Sequence, residues 1–206
     1  MSDHLPLPPG LPAFDLAAVT QLIQQRRSIK PKDFSGEPIP RQAIEQLLAN
    51  AHWAPTHGQT EPWHFVVFSG DGLRQFGEAH AELYREHTPD SAFKQAKYDK
   101  MQQVPLLCSH LIVICMRPGN LDKIPEVEEI AAVAAAVQNL HLSATAMGLA
   151  GYWSSGGMTY HPAMREWLGL QAPDRVLGFF MLGRLQGSWP QGRRKAAWED
   201  KVRWVE

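Results

Sequence analysis

WHFVVFS, spanning Trp63–Ser69, is aromatic and β-branched and is bounded by Pro62 and Gly70, so it is expected to be a β-strand. HLIVICM, spanning His110–Met116, is a second strand, apolar enough to be buried on both faces. Between them, polar sequence from Asp71 to Gln103 predicts two helices broken at Thr88-Pro89. A helical insert of that size after the first strand is unlike simple βαβ repetition. The expected class is α+β, a central sheet wrapped by helices.

Upstream, Asp15 is placed to cap a helix running to about Arg26, with Leu16, Val19, Leu22 and Ile23 at helical spacing. Ser28–Pro40 reads as loop, punctuated by three prolines and Gly36. Ala43, Ile44, Leu47, Leu48 and Ala51 predict a helix over Arg41–Trp53, stopped by Pro55. Downstream, Arg117–Pro125 reads as loop. Glu126–Met147 is the longest helical pattern, with Glu126, Glu128 and Glu129 complementing the dipole of its first turn and Gly148 as C-cap. Leu149–Ser154 and Arg175–Leu182 are further strands, separated by a short helix around Ala163–Leu168. Residues 1–14 form a Pro-rich arm, because Pro6, Pro8, Pro9 and Pro12 preclude a continuous helix. Residues 15–206 are expected to be a single domain.

Composition narrows the function classes. Twenty Lys plus Arg against 21 Asp plus Glu leave a formal charge of −1, which gives no general attraction to nucleic acid or anionic lipid. Hydrophobic residues make up 44%, enough for a sizeable core. Cys108 and Cys115 exclude a disulfide framework and a tetrathiolate zinc site, and both read as reduced core thiols. The N-terminus lacks a secretory pattern, and no apolar run approaches the roughly 20 residues of a membrane span, so a soluble cytoplasmic protein is expected. Nine histidines include no H-x-x-x-H pair, and His52 and His57 straddle Pro55, so no metal site is expected. The chain has no G-x-G-x-x-G after a strand and no P-loop, and GYWSSGG lacks the spacing of a nucleophile elbow. With neither nucleophile nor metal cluster in evidence, a borrowed cofactor is favoured as the carrier of the chemistry.

Three clusters could hold such a cofactor. Arg26-Arg27-Ser28, with Lys30, offers forked donors and a hydroxyl to a phosphate, or else simply complements a helix C-terminus. Ala54–Trp63 is a loop dense in hydrogen-bonding side chains, or else an ordinary connection with Trp63 in the core. Gly148–Gly157 (GLAGYWSSGG) lets backbone approach a heteroaromatic edge, or else is a helix cap, a short strand and a turn.

The order R-x-S-x-K, then AP-[ST]-…-PW, then G-L-x-G-x-W past an Ala-rich helix resembles the FMN-dependent nitroreductase family, in its small single-domain bacterial branch, from about Asp15 onward. The resemblance implies a central mixed or antiparallel sheet wrapped by helices, in an intertwined homodimer that holds FMN between its subunits. It implies ping-pong hydride transfer from NADH or NADPH to flavin N5 and on to a nitroaromatic, quinone or similar small acceptor, with no catalytic side chain. By position, Arg26 and Ser28 resemble residues that grip the phosphate and ribityl chain, with Arg27 between them. Lys30 matches a lysine near the N1–C2=O edge, where reduced flavin gathers charge. Thr56, His57 and Gln59 match the loop that reaches the cofactor from the partner subunit. Trp53 stands just before it, at a position that is basic in some relatives. Trp153, Ser154 and Ser155 resemble the backbone along the ring near N5, and Arg193 or Arg194 would supply a second phosphate cation. In place of the family's AP-S-x-x-N-x-Q-P-W, Gln59 and Glu61 stand where Asn and Gln are common, which removes an amide at Glu61. Ala131, Ala132, Ala134, Ala135 and Ala136 imply a buried central helix, part of which makes the dimer interface. A flavin-binding sensor or storage protein, and a reductase for one specific metabolite, are the competing readings. The acceptor pocket is expected in the Asp71–Gln103 region, with Tyr84, Phe93 and Tyr98 as either lid or packing aromatics.

Overall fold

His110–Met116 forms strand β2 and lies second in a four-stranded sheet ordered β1-β2-β4-β3, with β1 Trp63–Ser69, β3 Leu149–Ser154 and β4 Arg175–Arg184. The computed structural model describes residues 8–119 and 123–206. Residues 1–7 of the expected Pro-rich arm, and 120–122 of the expected loop, lie outside the described residues. The three strand pairings are antiparallel, which resolves the mixed-or-antiparallel expectation in favour of the latter.

Strand alternation builds two cores. Leu111, Val113 and Cys115 of β2, with Phe179 and Met181 of β4, face α3 (Asp71–Glu86) and α4 (Gln95–Gln103) through Leu73, Phe76, Ala81 and Met101. Ile112, Ile114 and Met116, with Phe180 and Leu182, face α2 (Arg41–Ala51) and α5 (Glu126–Ala146) through Ile44, Leu47, Val133, Val137 and Leu140. Every residue of β2 is buried, as its unbroken apolar pattern requires. Each large aliphatic or aromatic side chain so enclosed contributes about 1.5–3 kcal/mol.

α1 (Leu16–Gln25) begins where Asp15 accepts hydrogen bonds from the Ala17 and Ala18 amides, and α6 (Pro162–Trp167) begins at His161. α2 ends at Ala51, two residues before the expected Trp53, because the His52 and Trp53 amides close a turn onto Leu48 and Asn50. β4 runs past Leu182 to Arg184, since Gly183 lies under the Phe34 ring and leaves no room for a Cβ. The loop Ser28–Pro40 contains a single 3-10 turn, Pro31–Asp33, and is tied to the sheet by bridges Ser28–Gly151 and Phe34–Leu185.

Three surfaces stay apolar and uncovered. α1 buries none of its residues, leaving Leu16, Val19 and Ile23 exposed. α5 buries Ala132, Ala136 and Ala144, as a central helix should, but leaves Val127 and Ile130 outside. The tail from Pro190 onward is exposed throughout, including Trp198, Trp204 and Val205.

Candidate functional site

The C-terminal end of α1 delivers Arg26 and Arg27 to the edge of β3. The Ile29 amide donates to the Gly151 carbonyl at 2.9 Å, and the Ser28–Gly151 bridge runs parallel. That contact joins the first and third clusters of the sequence, more than a hundred residues apart. Arg26 Nη1 lies 3.5 Å from Ser28 Oγ and 3.4 Å from His141 Nδ1. His141 Nε2 is 2.9 Å from the Arg27 carbonyl, which can only accept, so the proton sits on Nε2 and Nδ1 receives the guanidinium. Burial, then the Arg26 charge, pushes His141 down to about 4, which keeps the imidazole neutral.

Three guanidiniums converge here. Burial first, then Arg194 and Arg27, lower the pKa of Arg26. Among the described residues, none of Arg26, Arg27, Arg193 and Arg194 has a carboxylate within salt-bridge distance. The roles nonetheless divide. Arg27 turns to backbone, with Nη1 donating to the Gln24 and Arg26 carbonyls and Nε to Pro190 at 3.1 Å. It caps α1 and pins the tail, so the helix-terminus reading holds for this residue. Trp189 Nε1 adds a 2.7 Å bond to the Gln25 carbonyl. Of the two tail arginines, Arg194 is the one whose charge presses on Arg26.

Lys30 leads from this cluster into a cavity of about 450 Å³, lined also by Tyr152, Ser154, Gly156 and Gly157 from the glycine segment. Trp153 does not enter it. Its indole Nε1 donates to the Leu177 carbonyl at 3.2 Å, in space that a Cβ at Gly178 would fill, and its backbone pairs with Phe180 of β4. Ser155 is exposed and lies outside the lining.

The opposite wall falls in the Asp71–Gln103 region, as expected, but on residues that the sequence did not single out. Phe76 and His80 of α3, and Lys97, Lys100 and Met101 of α4, line the cavity. Its signal was the stripe Leu73, Phe76, His80, Ala81 and Tyr84, a helical period that places one histidine in an apolar row. The Met158 amide donates to His80 Nε2 at 3.0 Å, and Gly157, at φ +72°, packs so closely on the imidazole that a Cβ would overlap it. Burial and the Lys97 charge push His80 down to about 4, so it is a neutral acceptor that holds the Gly156–Met158 turn in place. Tyr84, Phe93 and Tyr98 pack together beside this wall, outside the cavity lining. Tyr84 and Phe93 stack at 5.4 Å, and the Tyr84 hydroxyl accepts from the Lys94 amide at 3.0 Å.

The second cluster does not meet the other two within one chain. Thr56, His57 and Gln59 are absent from the cavity wall and lie against the start of α5, where His57 Nδ1 is 2.6 Å from Glu128 Oε2. Thr56 Oγ1 is 2.9 Å from Thr60 Oγ1 and accepts from the Glu61 amide. Gln59 and Glu61 hold left-handed φ of 54° and 46°, a cost usually met at functional loops. Glu61 faces His52 at 3.9 Å, while Trp63 Nε1 donates to His52 Nδ1 at 3.1 Å and packs against the core. Trp53 is 85% exposed beside an open depression formed with Asn50, Asn139, Leu142 and Ser143.

Other chemistry finds no support in the geometry. Cys108 and Cys115 are buried and free, and burial raises both thiols to about 12. Among the described residues no cluster of His, Cys, Asp and Glu could hold a metal ion. Among them, too, no helix is long and apolar enough to cross a membrane.

The model of the nitroreductase family matches residues 23–184. YdjA of Escherichia coli strain K12, provisionally named an NAD(P)H nitroreductase, is 28% identical over 151 residues, covering 73% of this chain and 80% of that protein. The solved nitroreductase-like family protein from Bacillus cereus superposes with a TM-score of 0.77 at 25% identity, covering 96% of this chain and all of that one. The same fold, at a TM-score of 0.71 and 19% identity, is found in the FMN-dependent nitroreductase NfnB from Mycobacterium smegmatis, solved in complex with NADPH, over 93% of this chain and all of that one.

Proposed function

This chain belongs to the nitroreductase family, and on that premise we propose that it is a homodimeric FMN-dependent oxidoreductase, drawing hydride from NADH or NADPH and passing it to a nitroaromatic, quinone or similar small acceptor. One observation carries the reading: Arg26 reaches Ser28 at the edge of a glycine-bearing strand, with the Arg194 and Arg27 charges acting on it, no carboxylate within salt-bridge distance among the described residues, and Lys30 leading into the cavity. Like charges held together at the edge of a pocket lower their mutual cost by sharing an anion. A phosphate monoester, with forked acceptors for guanidinium and a hydroxyl partner in Ser28, suits that donor set.

Bound FMN supplies a hydride-accepting N5 that no side chain here could replace. The protein's own part is grip and field. Arg26, Ser28 and Arg194 take the phosphate end, Arg27 holds the backbone that presents them, and Lys30 sets a cation against the ring edge that becomes negative on reduction. Ser154, Gly156 and Gly157 bring backbone to the ring, and His80 fixes their turn. Trp153 and Ser155 contribute main chain only.

Thr56, His57, Gln59 and Trp53 serve the partner's cofactor in this reading. Uncovered Leu16, Val19 and Ile23 on α1, Val127 and Ile130 on α5, and the Trp-bearing tail support it, because grouped exposed apolar side chains mark surfaces that a partner covers. Residues 15–206 are read as one domain, working in the cytoplasm, where buried thiols stay reduced. The test is an anaerobic titration of the yellow protein with NADH and then NADPH. Bleaching near roughly 450 nm, reversed by a nitroaromatic or quinone, supports the enzyme. Flavin that stays oxidised with both nicotinamides makes the protein a sensor or store.

A further inference from the structure

The cavity beside Lys30 holds more positive charge than a flavin ring uses. Lys30, Lys32, Lys97 and Lys100 stand on its wall, and among the described residues no carboxylate lines it. Lys32 is neutralised by Asp33 at 2.7 Å, and Lys30 is committed to the flavin edge in the reading above. The two lysines of α4 are left. Lys97 Nζ sits 4.3 Å from the centroid of the Tyr84 ring, held in position without being neutralised. Among the described residues, neither Lys97 nor Lys100 has a carboxylate within salt-bridge distance. The acids nearby are already engaged: Glu82 by Arg85 and Tyr98, Asp99 by the Gln95 amide. The inner wall is apolar, with Phe76, Phe179, Met101 and Met181.

We propose that the acceptor this cavity selects is a flat ring bearing an anionic group, a carboxylate or its equivalent, which Lys97 and Lys100 receive while the ring rests on the apolar wall. The proposal rests on the flavin reading and deepens it by naming a substrate class. An ammonium pair at a solvent-open rim acts through a screened field, so its contribution falls as salt rises.

The experiment compares 4-nitrobenzoate with nitrobenzene, acceptors that share a ring and a nitro group and differ in charge. In each, two electrons from NADH and two protons convert nitro to nitroso and water. The quantity is the ratio of kcat/KM for the two acceptors, in the FMN-loaded wild type and in the double variant Lys97→Gln/Lys100→Gln. The ratio within each protein cancels flavin content and nicotinamide binding, and comparing it between wild type and variant cancels the difference in acceptor potential. The expected result is a ratio about tenfold lower in the variant, with the wild-type ratio falling toward the same value in high salt. A ratio within twofold of wild type overturns the proposal, whether both acceptors keep their rates or lose them equally. A wild-type protein that takes up no FMN overturns the flavin reading itself, and this proposal with it.

Discussion

Replacing Arg26 with Ala removes the guanidinium on which the site converges while leaving the fold's two cores untouched. A hydrogen bond to a charged partner contributes about 1.5–3 kcal/mol when fully buried. Arg26 keeps part of its surface in water, so screening lowers that to about 1–2 kcal/mol, or roughly 5- to 30-fold in FMN dissociation constant. The structure adds a sign for the apo-protein. Burial and the neighbouring Arg194 and Arg27 charges disfavour a cation at this position, so its removal relieves repulsion even as His141 Nδ1 loses its donor. Apo Arg26→Ala is therefore expected to unfold near the wild-type temperature, while its holo form loses about 1–2 kcal/mol of the stabilisation that FMN confers. Arg26→Lys keeps charge without the fork and falls between the two. The assay is quenching of flavin fluorescence on titration of apo-protein, with thermal unfolding of both forms alongside. An Arg26→Ala dissociation constant within twofold of wild type would refute the argument, because Arg26 would then make no contact with the phosphate.

Three further outcomes follow from the same geometry. His80 and His141, both held near 4 in the fold against about 6.5 unfolded, bind fewer protons folded than unfolded between those values; stability is complete above pH 6.5 and is lost as pH falls toward 4, so a urea midpoint that stays flat from pH 7 to 4.5 would contradict their burial as neutral rings. Val19→Glu/Ile23→Glu, on the uncovered face of α1, is expected to give a monomer by light scattering at micromolar concentration with most of its flavin lost, whereas a variant that stays dimeric places the interface elsewhere. Cys108 and Cys115, pushed up to about 12, are expected to resist a thiol-disulfide reagent in native buffer and to react on unfolding; fast native labelling would show that one of them is exposed.

Local pattern carried most of the fold. β1, β2 and β3 begin and end where the sequence placed them because breakers or capping residues flank apolar runs. β4 runs past the expected Leu182 through Gly183, where the packed Phe34 ring requires a residue without a side chain, a long-range demand that has no local signature. The site was legible as three motifs but not as an arrangement. The Ser28–Gly151 bridge that unites two of them is a long-range contact with no local signature, and the third, around Thr56–Gln59, stays apart within one chain. The resemblance set Arg27 apart from Arg26 by position alone, and the carbonyls around Arg27 supply the physical reason, since they engage it as a helix cap while Arg26 turns to Ser28 and His141. Lys97 and Lys100 carry no local signal that sets them apart from any other lysine on a polar helix. Their meaning depends on the cavity opposite, which packing of α3 and α4 against β4 creates.

In the proposed enzyme two copies of this chain together hold FMN, with Arg26 and Arg194 at its phosphate. Light scattering combined with the visible spectrum of the purified protein, after incubation with FMN and removal of the excess, measures both parts at once. The expected result is twice the 23.1 kDa chain mass, with about one flavin per chain. Colourless protein, or a monomer that keeps a full complement of flavin, would contradict it.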